Sequence, residues 1–516
     1  LQQIESILGH GGRVISENMG GSDCWWFEYG GLQDTIGDFQ DIALELRRMA
    51  LGVWNYIKNS GHYNADNYTL EWIGSIPGKR ESRRMKTEYV LTEQDIIQNK
   101  RFPDGAFYGG WYIDSHPSGG FADTEEDNCK QRPVQVYQIP LRCLYQRTVP
   151  NLLFAGRNIG IERGAFFSSR VMNTCALAGQ AAGTLAATCA RQNKVPCDLM
   201  QTEVTDVIHQ LQQDDMFIPD VPFYVPGDSA RNANITASSC LSTNKNKQNG
   251  KLMPLDHGGY IVFPGVCGKV EVKVFSESTQ QLYGTMSSAM LPNHYDEDTM
   301  GTPIVWQLEA GEQTISVDVP KQSVGKFVML QIQPAQGVKI FLANVEHTGI
   351  ICGEQGSPEI NEPIICYKNS SERIYDTSNL SNGWNRPWGQ PNQWCADPDD
   401  ENPWLLFTWE KAIEINHIKF FLDPDLSMEL PSSRASHWQA SHLYYPRTSM
   451  PPHLIKEFII EAEKADSNWK VIAHISENYQ RLVDIMADEK ITTQKLRIRF
   501  IKTWGGSPAI YSIHIV

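Results

Sequence analysis

The chain has 516 residues, 41% hydrophobic and 10% aromatic, with 14 Trp. That is apolar mass for several cores, three or four domains at ~100–200 residues each, and it excludes a mainly disordered chain. Lys and Arg number 45 against 60 Asp and Glu, and the resulting charge of −15 repels phosphate backbones and argues against general nucleic-acid binding.

No run approaches the ~18 apolar residues of a membrane helix. The chain starts at Leu1, and Leu1–Gly12 has neither the basic start nor the apolar run of a targeting segment. A chain that has lost its original N-terminus is therefore expected. The 11 cysteines are odd in number and contain no CxxC pair, which argues against a zinc site and a fully paired disulfide framework. No metal is expected.

In chain order, Asp41–Tyr56 spaces Ile42, Leu46, Met49 and Val53 between charges and predicts a helix. Val204–Leu211 predicts another. After Pro219 the text turns to short alternating runs bounded by Gly, Pro, Asn and Ser: Tyr260–Phe263, Lys269–Phe275, Thr314–Val319, Lys326–Gln333, Ile415–Phe421, Glu457–Ala462 and Lys495–Phe500. These read as strands at sandwich spacing. A second break is expected around Ile351–Pro363. The expected fold is multidomain: an α/β unit over 1–220 and antiparallel β-sandwiches over 221–352 and 353–516.

Pro150–Ala190 carries the chemical signal. Leu152–Ala155 predicts a buried strand ending at Gly156 and Arg157, then a loop over Asn158–Phe167. A helix is expected from Ser168 or Ser169, either able to cap it, with Ala178, Ala182 and Ala186 on one line and Gly179 and Gly183 on the next. Small residues at that spacing let a helix approach a sheet, another helix or a flat ligand closely. On the spacing alone a tightly packed helix without a ligand is the favoured reading, since small-residue helices are common in α/β cores.

The runs NLLFAGRN (151–158), SRVM (169–172) and AGQAAG (178–183) resemble the C-terminal flavin-binding segment of the FAD-dependent oxidoreductase family with the glutathione-reductase type of fold. WWFEYGG (25–31), PGKRESRR (77–84), GGWYIDSH (109–116) and IPLRCLY (139–145) resemble further blocks of that family. The resemblance covers roughly 1–220. It implies FAD as cofactor, hydride transfer from a carbohydrate-related or other small hydroxyl substrate, and flavin contacts from Gly156, Arg157, Arg170, Met172, Gly179 and Gln180. The family's GxGxxG loop, which grips the FAD pyrophosphate, is absent: Gly9-His10-Gly11-Gly12 fails the spacing, with Val14 in the last position. The missing N-terminal flavin-binding segment is the expected partner, and an α/β sheet left with an open edge or face is the expected consequence. Arg163 stands where many relatives carry a His.

A hydride-transfer site needs a group to take the substrate proton, and His116 is the candidate, with Asp114 setting its tautomer. A turn histidine is the competing reading. Lys79, Arg80, Arg83 and Arg84 form a basic cluster in an acidic chain. Arg80 and Arg83 are candidates to hold a substrate carboxylate or the flavin, against ion pairing with Glu81 and Glu88; Lys79 reads as ion-paired. Arg157 follows the strand end, where ligands collect in α/β sheets. Arg170 is expected in a first helical turn, where a cation calls for an anionic partner. Cys143 and Cys175 read as small buried hydrophobes.

ITASS (235–239), Trp394, WLLF (404–407), Ile415–Phe421 and WKVI (469–472) resemble discoidin-type, galactose-binding-like sandwiches, most clearly over 353–516. Glycan binding would use loop aromatics, for which Trp384, Trp388, Trp438, Tyr444, Tyr445 and Trp504 are candidates; burial against a neighbouring domain is the alternative. Two overall readings follow: an FAD-dependent oxidoreductase with accessory sandwiches, or a glycan-binding or scaffold protein with a degraded flavin unit. A periplasmic or secreted location is expected.

Overall fold

The computed structural model describes residues 2–15, 24, 26–125, 127–244, 248–292, 301–344, 347–355, 357, 359–368, 374–426 and 449–516. Trp25, Trp438, Tyr444 and Tyr445 lie outside them. The chain divides into two units, Leu1–Pro219 and Asp220–Val516.

The first unit contains helices α1 (Gln2–Glu5), α2 (Phe39–Asn59) and α3 (Glu93–Ile97), strands β1 (Gly105–Gly109), β2 (Ile113–Ser115), β3 (Lys130–Arg132) and β4 (Tyr137–Pro140), and helices α4 (Arg163–Ser169), α5 (Met172–Gln192), α6 (Pro196–Thr202) and α7 (Val204–Gln213). The predicted helices at 41–56 and 204–211 are α2 and α7. Helix α2 buries Ile42, Val53 and Tyr56. Helix α3 begins in a capping box: Thr92 Oγ1 accepts the Asp95 N–H and Asp95 Oδ2 accepts the Thr92 N–H. Helix α5 ends where Asn193 turns left-handed at φ 52°.

Several local expectations for this unit do not hold. Its sheets are two antiparallel pairs, β1 with β4 and β2 with β3. Among the described residues the parallel pairing here is a single bridge, Leu91 to Ile161, so an open-edged dinucleotide sheet is not among them. Leu152–Ala155 is not a strand; Leu153 makes one bridge to Tyr145, and Leu152 faces solvent. The apolar run is short because it plugs Phe154 into the core rather than extending a sheet. The expected loop over 158–167 contains the start of α4. Ser168 and Ser169 end that helix instead of capping the next one, and α5 starts after Val171 without a side-chain cap.

The second unit contains β5 (Asn234–Ala237), β6 (Gln248–Pro254), β7 (Gly259–Pro264), β8 (Lys269–Ser276), β9 (Gln280–Ala289), β10 (Thr302–Leu308), β11 (Gly311–Asp318), β12 (Phe327–Ile332), β13 (Val338–Ala343), β14 (Ile351–Glu354), β15 (Ile365–Lys368), β16 (Trp394–Cys395), β17 (Trp404–Leu422), β18 (Ile455–Glu463), β19 (Trp469–Ile475), β20 (Leu482–Thr503) and β21 (Ala509–Ile515). The first sandwich packs the sheet β10-β9-β12-β7-β14 on the sheet β11-β8-β13-β6, which β15 joins through β8. Strict alternation in β8 turns Val270, Val272 and Val274 inward onto Phe263, Val328 and Leu330.

The second sandwich is built from β16-β21-β17-β20-β18-β19, with β5 added at β17. Its long strands β17 and β20 are interrupted by register shifts at Thr408/Ile413 and Ile415/His417, which let one strand serve two faces. The core includes Trp394, Phe407, Phe420, Phe458 and Ile498. Strand membership crosses the break expected near 352. Ile351–Glu354 and Ile365–Lys368 pair inside the first sandwich, whereas Asn234–Ala237 pairs with Leu405–Thr408 in the second. Gly353 lies within β14 itself, so this glycine does not mark a domain boundary. Alternation along a strand gives its faces but not its partner.

Candidate active site

Strand β2 delivers Asp114, and the turn after it delivers His116. Two features fix that turn. Ser168 Oγ donates to the Trp111 carbonyl at 2.5 Å and contacts Tyr137 Oη at 2.8 Å, which pins α4 to β4 and to the link between β1 and β2. Beyond the turn, Phe121 N–H donates to the Glu28 carbonyl at 2.7 Å. This approach needs glycine. A Cβ on Gly120 (φ +62°) would lie 2.4 Å from the Glu28 carbonyl oxygen, and one on Gly31 would lie 2.5 Å from that of Ser118.

His116 thereby sits between two carboxylates. Its Nδ1 lies 3.0 Å from Glu28 Oε2 and its Nε2 3.3 Å from Asp114 Oδ2. Arg170 Nη2 donates to Asp114 at 3.1 Å (Oδ2) and 2.9 Å (carbonyl). Arg80 Nη1 lies 2.7 Å from Glu28 Oε1. Arg157 Nη1 donates to the carbonyls of Lys79 and Arg80 at 3.0 and 3.1 Å. The side chains of Arg170, His116 and Asp114 are 8%, 11% and 13% exposed, whereas Arg80 is 39% exposed, so the network is buried at one end and open at the other.

The charges follow from this packing. Burial pulls the His116 pKa down, but the hydrogen bonds to Asp114 and Glu28 outweigh it, and the net value lies above the ordinary 6.5. Burial pushes Asp114 up, but His116 and Arg170 hold its carboxyl below the usual range. Burial, then Arg80, hold Arg170 down against the pull of Asp114. The Cys129 thiol, which feels Asp114 and Glu28, is pushed up to about 11, chiefly by burial, and stays protonated. The two carboxylates that flank the ring thus favour the charged form of His116 over the neutral one, against the effect of burial.

Of the sequence candidates, His116, Asp114, Arg80 and Arg170 meet in one network, and Arg157 braces its rim. Arg83 is exposed and stands apart from these contacts. Arg170 is not in a first helical turn: it follows α4, whose C-terminal dipole favours a cation. Gly156 adopts φ +84° with open space where a Cβ would stand. Met172 is 87% exposed at the start of α5. Gly179 and Gly183 also face open space, and Gln180 Nε2 reaches the Asp214 carbonyl at 3.5 Å. On the same helix Ala178 and Ala182 are buried while Ala186 is exposed, so the expected small-residue line divides between core and surface. Cys143 is buried; Cys175 is half-buried, its Sγ 3.6 Å from the Arg170 carbonyl. Lys79 lies over the Phe39 ring at 4.9 Å. Glu28 was missed as a site residue, although it lies in the quoted block 25–31; a carboxylate beside Gly30-Gly31 was the available signal.

In the second unit Trp388 is buried and donates to Asp220 at 2.8 Å, with Trp384 packed on it at 6.4 Å. Trp504 donates to the Asn478 carbonyl at 2.8 Å and lies under Lys456 at 4.4 Å. All eleven cysteines are free. Among the described residues no cluster fits a metal ion, and no helix is long and apolar enough to cross a membrane.

A mixed helical and β unit with a buried histidine–carboxylate cluster, followed by two antiparallel sandwiches, makes this a multidomain α/β plus β-sandwich protein. Residues 9–213 match the model of the family described as FAD dependent oxidoreductase, and the chain resembles that family over this region. No curated protein matches the chain. Among solved structures, a family 32 carbohydrate-binding module from Streptococcus pneumoniae EndoD aligns at 14% identity over 28% of this chain and 88% of its own, with a TM-score of 0.22. The family 32 module of C. perfringens NanJ, solved with galactose, aligns at 18% identity over 28% and 88%, with a TM-score of 0.20. Chitosan-binding module 1 of a chitosanase/glucanase from Paenibacillus sp. IK-5 aligns at 10% identity over 29% and 90%, with a TM-score of 0.20.

Proposed function

We propose that the first unit is the substrate side of an FAD-dependent oxidoreductase acting on a small hydroxyl compound, carbohydrate-related in the first instance. The observation that carries this reading is the buried His116 with a carboxylate at each ring nitrogen and an open, cationic rim. FAD when bound supplies the two-electron acceptor. His116 takes the proton of the substrate hydroxyl at Nδ1 once Glu28, which pairs with the half-exposed Arg80, has turned away from the ring, while Asp114 holds Nε2 and Arg170 holds Asp114.

The residues fit one end of the cofactor. The positive-φ turn at Gly156, the exposed Met172 and the open faces of Gly179 and Gly183 leave room for a flat ring. The Gly9–Gly12 segment forms a tight 3-10 turn and does not provide a pyrophosphate loop. Gly156, Arg157, Met172 and Gly179 would hold the ring end. Reading the sandwiches as glycan-directed favours a carbohydrate substrate and a periplasmic or secreted setting.

Flavin fluorescence tests the reading. FAD and FMN added to this chain should both be quenched saturably, with ADP failing to compete. Reduction, seen as bleaching near ~450 nm, should follow addition of a hydroxyl substrate. Absence of quenching by either flavin would remove the flavin reading in favour of a glycan-binding or scaffold protein.

A further inference from the structure

We propose that the substrate of this unit is an anion, held through a carboxylate by the half-exposed Arg80 at the open end of the His116 network, with the exposed Arg83 adding positive charge to the same segment. The inference rests on the oxidoreductase reading and names its substrate class. Residues 79–86 carry Lys79, Arg80, Arg83, Arg84 and Lys86 against the single carboxylate of Glu81, in a chain of net charge −15. Glu28 pairs with Arg80 at 2.7 Å and Glu81 stands 3.7 Å from Arg84 and 3.9 Å from Arg163, so the cations of this segment outnumber the carboxylates that face them. Arg83 makes no hydrogen bond or ion pair among the described residues, and the carboxylate it feels, Asp34, also faces Lys79.

The arrangement is also rigid. Arg157 ties down the backbone carbonyls of Lys79 and Arg80, so the backbone that carries the Arg80 guanidinium is braced. Arg80 is close enough to Arg170 and to His116 to disfavour the charge on both. Like charges gathered at the open end of a buried network cost free energy that a bound anion returns, and a planar guanidinium suits a carboxylate. A flavin phosphate is the other anion that could use the rim, and the test separates the two.

Calorimetry on the 516-residue chain would compare two matched pairs, D-glucuronate with D-glucose and glycolate with ethylene glycol. At least one acid should bind about 10-fold more tightly than its neutral partner, the worth of one charge-assisted contact. Arg80→Gln and Arg83→Gln should each reduce that preference; Arg83 is exposed, so its variant keeps the fold. Equal binding or no binding across both pairs, or a preference untouched by both substitutions, would overturn the inference. Displacement of the acid by ADP would also overturn it, by assigning the rim to a phosphate. FAD titration of the same sample keeps the two readings apart. An acid preference without flavin quenching removes the flavin and leaves the anion site; quenching without an acid preference does the reverse.

Discussion

Two histidine–carboxylate clusters, one in each unit, differ in what surrounds them. His514 Nδ1 lies 2.8 Å from Asp228 Oδ2 and its Nε2 lies 3.3 Å from Ser512 Oγ, the order of groups used by serine hydrolases. Ser512 is fully buried and donates instead to Asn385 Oδ1 at 2.7 Å, while Asp228 also accepts the N–H groups of Ala230 and Ile515. This cluster fastens the segment before β5 to the last strand. His116 has the same kind of partners but ends at the half-open Arg80. A constellation becomes a site through access, and the first unit supplies access because short sheets and Gly-rich turns, not a sandwich core, surround it.

The comparison breaks most decisively at His116. With FAD supplied, His116→Ala should lower the rate of flavin reduction by ~10²–10⁴, whereas Ser512→Ala should leave it unchanged. Stopped-flow bleaching of the flavin reads both. Asp228→Ala should act on stability alone. It removes the partner of a buried His514 and of two backbone N–H groups, a cost of about 3 kcal/mol visible by calorimetry and as faster exchange of the Ile515 amide.

Gly120→Ala forces a Cβ against the Glu28 carbonyl at a left-handed φ, and should cost about 2 kcal/mol while shifting the His116 titration. The pH dependence is the finer test. The His116 pKa is raised in the folded state, so its protonation stabilises the fold fully below 6.5, and that contribution is lost as pH rises through the folded pKa. Asp114 runs oppositely: its contribution is present above 3.8 and lost as pH falls through its lowered pKa. Asp114, Glu28 and Arg80 are the charged groups facing His116. Glu28→Gln should therefore bring the His116 midpoint, followed by ring-proton NMR, down towards 6.5, and move the rising limb of activity to lower pH. The smallest effect is expected at Arg83→Gln, within about 0.5 kcal/mol in stability, since the residue is exposed.

The sequence alone determined the larger divisions. Helical spacing at 41–56 and 204–211, alternation in runs such as Lys269–Phe275, and the family blocks between residues 25 and 183 follow from period and residue type, which local physics sets. Asp114 and His116 were legible because a titratable pair in a Gly- and Pro-rich turn is a local signal. The tertiary structure alone decided the rest. Glu28 and Arg170 lie 88 and 54 positions from His116 along the chain, and no local pattern joins them. Nor could the text show that Arg170 follows one helix rather than opening the next, that β5 leaves its sequence neighbours for the second sandwich, or that two carboxylates would raise the His116 pKa. Period is written in neighbouring residues; pairing, access and charge state depend on which distant groups the packed chain brings within a few ångströms.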